Sequence, residues 1–251
     1  MKLGTAFTYP FRGPHMWPNL GLGALCFLIP VVGPMVFMGY LIRAEILLLQ
    51  NINADPPRFD FGRFVPYLTR GVQVFLVSLI ASLVLLPIIW GAMFAMMMCM
   101  ALLIEKHPIA AVCCILGVTL FVFLLSLLYG LVTAPMYLKA AFEDRFAAGF
   151  DFRFVGDYLK RVGLLSLGTQ FLAFFLILPF TALFCIPIVG PYLALAPISF
   201  ITAHIRVQLY LEYLARGGTP INIKYEPPDP AFPVIPANAG AVPPETSTST
   251  L

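Results

Sequence analysis

Charge is missing from three long stretches of this chain, 71–104, 108–138 and 162–203, and apolar residues dominate all three. At about 1.5 Å of rise per residue, each is long enough as a helix to cross a hydrocarbon core of about 30 Å. The stretch 162–203 is too long for one crossing, since it would reach about 63 Å as a single helix. It must cross, turn and cross back. Its middle reads IPIVGP (186–191), and a near copy, IPVVGP, stands at 29–34. Pro187 lacks an amide hydrogen and interrupts the incoming helix, Gly190 tolerates the left-handed geometry of a helix end, and Pro191 suits the first turn of the next helix. The hexamer therefore predicts a tight helical hairpin, and its copy predicts another.

Two such turns give about six transmembrane segments in three hairpins, near 17–30, 34–50, 70–103, 108–142, 161–186 and 190–214. The expected fold is an all-α, polytopic helical membrane protein. The segment 17–30 reaches only about 21 Å, so it is expected to be thin or re-entrant, with Trp17 anchoring its end at the interface. The segments 70–103 and 108–142 are longer than a crossing needs and are expected to tilt, to kink at Pro87 and Pro135, or to protrude.

Positive charge gives the orientation. In the six-segment arrangement Lys2, Arg12, Arg43, Arg58, Arg63, Arg70, Lys139, Arg145, Arg153, Lys160, Arg161, Arg206, Arg216 and Lys224 share one side, and Lys106 alone lies opposite. The positive-inside rule then places both termini in the cytoplasm and the protein in the cytoplasmic (inner) membrane. A five-segment arrangement would put Lys2 and Arg12 outside.

A second repeat lies at the same face. FDFGRFVPYLTRG (59–71) and FDFRFVGDYLKRVG (150–163) both follow a hairpin and lead into a long apolar segment. Asp60 and Asp151 are placed to cap helices, and the alternating Phe, Tyr and Arg suit interfacial amphipathic helices with rings inward and guanidinium groups toward phosphates. Asp157 and Arg161 stand one turn apart and can pair. Arg63, Arg70, Arg153 and Arg161 are the candidate contacts for anionic lipid. The two copies run in the same direction, which suggests a parallel duplication.

Three strings carry a resemblance: FTYPFRGPHMW (7–17), GYLIR (39–43) and PPRFDFGRFVPYLTRG (56–71). Together they resemble a prokaryotic multi-pass membrane family of unknown function, the domain-of-unknown-function family numbered 4013. The likeness is good over about 7–90 and looser over 137–216. The chain departs from the family at Gly13, where Asp is usual, and carries an extra residue between Pro14 and Trp17. The resemblance implies a multi-pass membrane domain with no assigned activity, and it supplies no catalytic residues.

Composition narrows the chemistry. Hydrophobic residues make up 60% of the 251 and charged ones 11%, against roughly 25% in an average soluble domain. The first apolar run starts only at Leu20 and no small-residue cleavage site follows it, so no cleavable signal peptide is expected. The five cysteines sit inside apolar segments without metal-ligand spacing and read as packing residues. A net charge of +3 implies no nucleic-acid partner. Arg43, Glu45, His204 and Arg206 lie near segment ends and read as side chains snorkelling toward headgroups, leaving no deep acid or His for a proton relay. Gln73, Thr169 and Gln170 are expected to bond between helices. Glu105, Lys106 and His107 read as a polar turn closed by Pro108.

No catalytic residues, cofactor or metal site are expected. The domains read as a cytoplasmic segment 1–16, a helical membrane domain 17–216 and a disordered or extended, proline-rich cytoplasmic tail 217–251. The leading functional expectation is a non-enzymatic accessory or scaffolding subunit whose partners are membrane lipids and other membrane proteins. The alternative is a small transporter or channel built from parallel hairpin repeats. Reporter fusions at Gly33, Lys106 and Gly190 should report the outside, and fusions at Asp55, Gly149 and Thr219 the inside. An inside signal at Gly33 would show the first hexamer to be a kink, and the six-segment arrangement would fail.

Overall fold

Two glycines bring the backbones of two helices into contact at the centre of this fold. In the computed structural model, which describes residues 2–103, 107–186 and 189–224, a Cβ on Gly39 would fall 1.8 Å from the Tyr67 carbonyl oxygen. A Cβ on Gly71 would fall 1.7 Å from that of Met35. The helices concerned are α3 (Val32–Gln50) and α4 (Phe64–Leu103). They are preceded by α1 (Leu3–Thr8) and α2 (Met16–Leu28), and followed by α5 (Pro108–Glu143), α6 (Phe152–Thr181) and α7 (Val189–Ala215). No strand occurs among the described residues. The expected all-α, polytopic fold is observed.

Helices over Val32–Gln50, Phe61–Leu103, Ile109–Glu143, Phe152–Phe180 and Gly190–Ala215 are long and apolar enough to cross a membrane. The remaining expected segment is α2, whose 13 residues reach only about 20 Å. It pairs with α3 as the short arm of the first hairpin. Pro87 and Pro135 lie inside continuous helices, α4 and α5.

The described residues of the two hexamers share two hydrogen bonds. Ile29 N donates to Cys26 O at 3.2 Å and Gly33 N to Ile29 O at 3.1 Å. In the second, Ile186 N donates to Leu183 O at 2.9 Å and Gly190 N to Ile186 O at 3.1 Å. The reason for glycine differs from the expected one. Neither Gly33 nor Gly190 adopts a positive φ; the positive-φ residue of the first turn is Val31, at φ 66°. Glycine is required because a Cβ at Gly33 would lie 1.7 Å from Cys26 O, and one at Gly190 1.8 Å from Leu183 O, each seven residues upstream. Close backbone approach, not backbone conformation, selects the residue. Pro187, expected to interrupt the incoming helix, lies outside the described residues, as do Glu105 and Lys106 of the polar turn and residues 225–251 of the tail.

Consecutive helices pack in a closed circuit, α3 on α4, α4 on α5, α5 on α6, α6 on α7, and α7 back on α2 and α3. Burial within that circuit is uneven. The apolar windows of α3 and α7 are each 61% buried, while those of α4 and α5 are 11% and 6% buried. The buried residues of α4 are Tyr67, Arg70, Gly71, Val74 and Val77, all near its start. From there α4 runs on through about 26 more residues, or roughly 39 Å, as one arm of a hairpin whose faces Trp90, Phe94, Leu116 and Leu120 stay exposed. Within the arm, Ser82 Oγ and Tyr129 OH are 2.8 Å apart.

The packed base has two apolar clusters. One joins α2, α3 and α7 around Tyr40, whose ring contacts Phe37, Phe59, Tyr67 and Phe200 at centroid distances of 5.0–5.9 Å. The other joins α5, α6 and α7 through Phe142, Tyr158, Tyr210 and Tyr213. Residues 218–224 close this second cluster as an extended strap. Ile221 is buried, its N–H donates to Tyr210 OH at 2.7 Å, and Lys224 N donates to Phe142 O at 2.8 Å. The start of the tail thus docks on its own bundle.

The FDF segments do not form separate interfacial helices. A 3-10 turn, Phe61–Arg63, runs directly into α4, and Phe152 begins α6. Their caps are as expected: Asp60 accepts from Gly62 N at 2.8 Å, and Asp151 from Arg153 N and Phe154 N at 3.0 and 3.2 Å. Their rings divide. Phe59 and Phe154 are buried, whereas Phe61, Phe64 and Phe152 are exposed; in α6, Phe152 and Phe154 stand two residues apart and so face different sides of the helix.

The helix crossing gives a direct test. Gly39→Ala and Gly71→Ala should each destabilise the protein by about 1–3 kcal/mol or more through forced backbone separation. Gly91→Ala, where the added methyl meets nothing, should be neutral or stabilise by roughly 0.5–1 kcal/mol. Thermal unfolding in one fixed detergent reads the difference, and equal effects at all three sites would contradict the crossing.

Candidate functional site

Glu45, on α3, points into the interior of the bundle. It is completely buried, and Oε1 accepts two hydrogen bonds from Arg206 of α7, from Nε at 2.9 Å and Nη2 at 2.5 Å. The Arg206 guanidinium also lies over the Tyr137 ring of α5, 3.9 Å from its centroid. Three helices distant in sequence therefore meet on one charge pair. The expected snorkelling of Glu45, Arg206 and His204 does not occur. His204 is fully buried as well, while Arg43 donates to Tyr67 OH at 3.0 Å. Glu45 and Arg206 turn inward because each neutralises the other, which headgroups are not needed to do.

The pair is not symmetric. Both donors fall on Oε1, and the buried Oε2 has no hydrogen-bond partner. Among the described residues, the hydroxyls of Tyr9, Tyr137 and Tyr158 are likewise buried without hydrogen-bond partners. Burial, with the Glu45 carboxylate adding to it, pushes the Tyr9 phenol well above its usual range, so it remains a neutral donor. Such a constellation can clamp helices and hold polar groups out of water. Among the described residues no group of three His, Cys, Asp or Glu side chains could hold a metal ion.

The four sequence-predicted lipid contacts have different fates. Arg70 is buried, and its Nη2 donates to the Lys224 carbonyl at 2.5 Å, under the strap rather than toward headgroups. Arg161 pairs with Asp157 at 2.9 Å, as expected, and also donates from Nη1 to Arg216 O at 2.5 Å. Arg70 and Arg161 thus hold different ends of residues 216–224. Arg63 is half-buried before α4, and Arg153 is exposed in the first turn of α6. Asp151 does more than cap: Lys139 donates to its other oxygen, and that ammonium, with the two backbone donors, holds its carboxyl below the usual carboxylate range.

Some contacts were not foreseen. Asn19, buried in α2, donates to Pro57 O at 2.9 Å and accepts from Phe59 N at 2.9 Å, and so fixes the connection that leads into α4. A lone Asn at the start of an apolar segment was the available signal. Gln73 accepts from Phe146 N at 3.0 Å, the expected bond between elements, whereas Thr169 donates to Leu165 O of its own helix at 2.7 Å.

Arg206→Met should cost about 3–5 kcal/mol, because it leaves a buried carboxylate without a counter-charge. Combining it with Glu45→Leu should recover most of that loss. Unfolding temperatures of both single variants and the double variant, in one detergent, would show the coupling. Single-variant costs below about 1 kcal/mol would mean that the pair is solvated.

Comparison with known proteins bears on these helices as a set. No curated protein and no solved structure matches the chain. A protein family does, over residues 22–203, from within α2 to within α7. That match covers more than two thirds of the chain, and the protein belongs to the family described as Protein of unknown function (DUF4013).

Proposed function

We propose that the protein is a non-enzymatic accessory or scaffolding subunit of the cytoplasmic membrane, with both termini cytoplasmic, that packs through its α4–α5 arm against lipids and other membrane proteins. The observation that supports this is the division between a packed base and a bare apolar arm, with windows 61% buried in α3 and α7 but 11% and 6% in α4 and α5. Within lipid, helices associate through packing and not through the hydrophobic effect, so an arm of this length offers a docking face while the base keeps its own shape. Arg153 and Arg63, near the start of α6 and α4, fit contacts with anionic headgroups at the charged end. The two hydrogen bonds shared by the described residues of the hexamers support a parallel internal duplication.

A photo-crosslinking amino acid placed at Trp90, Phe94 or Leu116 in native membranes tests the reading. Discrete adducts with one or a few membrane proteins, co-purifying in fixed proportion, are expected there. The exposed α6 position Leu164 should yield none. Lipid adducts alone at every position would remove the support for scaffolding.

The second reading, a small transporter or channel, is favoured by one observation: a charge pair buried between two helices long enough to span. Ionisable groups in such helices often mark ion or substrate paths. Single cysteines at Ser199 and Thr202, in an otherwise cysteine-free chain, should then react with aqueous thiol reagents. Uniform protection would exclude it.

A further inference from the structure

The far end of the α4–α5 arm carries three of the chain's five cysteines. Cys99 stands four residues before the end of α4, and Cys113 and Cys114 stand in the second turn of α5. The three are not equivalent. Cys113 is exposed, whereas Cys99 and Cys114 are half-buried and their thiols meet between the two helices. The register of the arm leads to the same pairing. Ser82 Oγ and Tyr129 OH are 2.8 Å apart. From that level Cys99 lies 17 residues further along α4 and Cys114 15 residues back along α5, about 26 and 23 Å. Antiparallel helices matched at the first level therefore bring these two residues to a second one, next to the turn that joins them.

Depth decides what such a pair can do. At the charged end of the bundle, α4 carries Arg70, bonded to the Lys224 carbonyl, and α5 carries Lys139, bonded to Asp151. Cys99 is 29 residues from Arg70, about 44 Å, and Cys114 is 25 residues from Lys139, about 38 Å. A hydrocarbon core is about 30 Å thick, and membrane helices tilt by up to about 40°. At that tilt Cys99 still stands about 33 Å from Arg70 along the membrane normal, among the far headgroups. Thiols at that level meet oxidants carried in water, which thiols in the middle of the core do not. In the orientation proposed above the far side is the one away from the cytoplasm, where disulfides persist. The inference rests on that reading for its oxidising compartment.

We propose that Cys99 and Cys114 form a reversible disulfide that ties α4 to α5 at the outer end of the arm. The two thiols lose two protons and two electrons as the S–S bond forms, and the electrons pass to a thiol–disulfide oxidant, whose own disulfide is reduced to two thiols. The bond closes a loop over residues 100–113 and so restricts the unfolded chain. Cys113, exposed and turned away from α4, stays a thiol. To test this, native membranes are quenched with acid and N-ethylmaleimide, and the isolated full-length protein is digested for mass spectrometry. Peptides joined through Cys99 and Cys114 are expected, with Cys113 alkylated. In detergent, a reductant should lower the unfolding temperature of the parent by several degrees, and oxidised glutathione should restore it. Cys99→Ser and Cys114→Ser should respond to neither, and Cys113→Ser should behave like the parent. The proposal is overturned if Cys99 and Cys114 are both alkylated in native membranes, or if Cys113 is the partner of Cys99. A reporter fusion at Lys106 separates this failure from that of the orientation. Alkylated thiols with an outside signal sink the disulfide alone, and alkylated thiols with an inside signal sink both.

Discussion

The contact between Gly39 and the Tyr67 carbonyl, with its counterpart between Gly71 and the Met35 carbonyl, sets the distance on which the other contacts around α3 depend. Apolar helices in a bilayer gain little from hydrophobic burial against one another, because the lipid tails are as apolar as leucine. What holds them is close packing and polar contacts that find no substitute in lipid. Small residues allow the first, and the backbone approach of α3 to α4 is its clearest instance here. It lets Tyr67 reach Tyr40, with ring centroids 5.9 Å apart, and lets Tyr67 OH accept from Arg43. Both glycines stand in the stretches that carry the family resemblance, GYLIR and the end of PPRFDFGRFVPYLTRG. Those strings have a structural reason to occur together.

Polar contacts do the second job, and they are concentrated in the same part of the bundle. Glu45 and Arg206 tie α3 to α7, Arg206 lies on Tyr137 of α5, and Asp157 of α6 accepts from Tyr213 OH of α7 at 2.7 Å. The strap adds Arg70 of α4 and Phe142 of α5 to the network through backbone groups of Lys224. Every helix from α3 to α7 is therefore joined at this end by at least one charged or backbone hydrogen bond. Among the described residues of the α4–α5 arm, the two helices are linked by few polar contacts: the Ser82–Tyr129 hydroxyl pair, the Tyr129-to-Ser78 carbonyl bond at 3.4 Å and a contact between the thiols of Cys99 and Cys114. The result is a base that resists separation and an arm whose surface is left for whatever surrounds it.

Much of the architecture was legible in the sequence. The charge-free blocks gave the long helices, because an apolar stretch longer than a bilayer is thick has few other outcomes. The IPxVGP hexamers gave the hairpins, and the two aspartates gave the caps, since each is a local matter of what a backbone can do within a few residues. The paired charges were harder. Glu45 and Arg206 are 161 residues apart, and each by itself looks like a side chain near a helix end reaching for headgroups. The same is true of Arg70, which nothing near it in sequence marks as the partner of the Lys224 carbonyl, 154 residues away.

The sequence by itself thus determined the helical class, the hairpin turns, the helix starts at Asp60 and Asp151 and the family. The tertiary structure alone decided which charges are buried, that Gly33 and Gly190 serve close approach and not a left-handed backbone, and that residues 218–224 fold back onto the bundle. The physical reason is range. Helix length, turns and caps follow from chain geometry over at most one or two turns, whereas burial and charge pairing depend on which distant helices are brought together. That choice is made by shape, and here by two glycines that let two backbones touch.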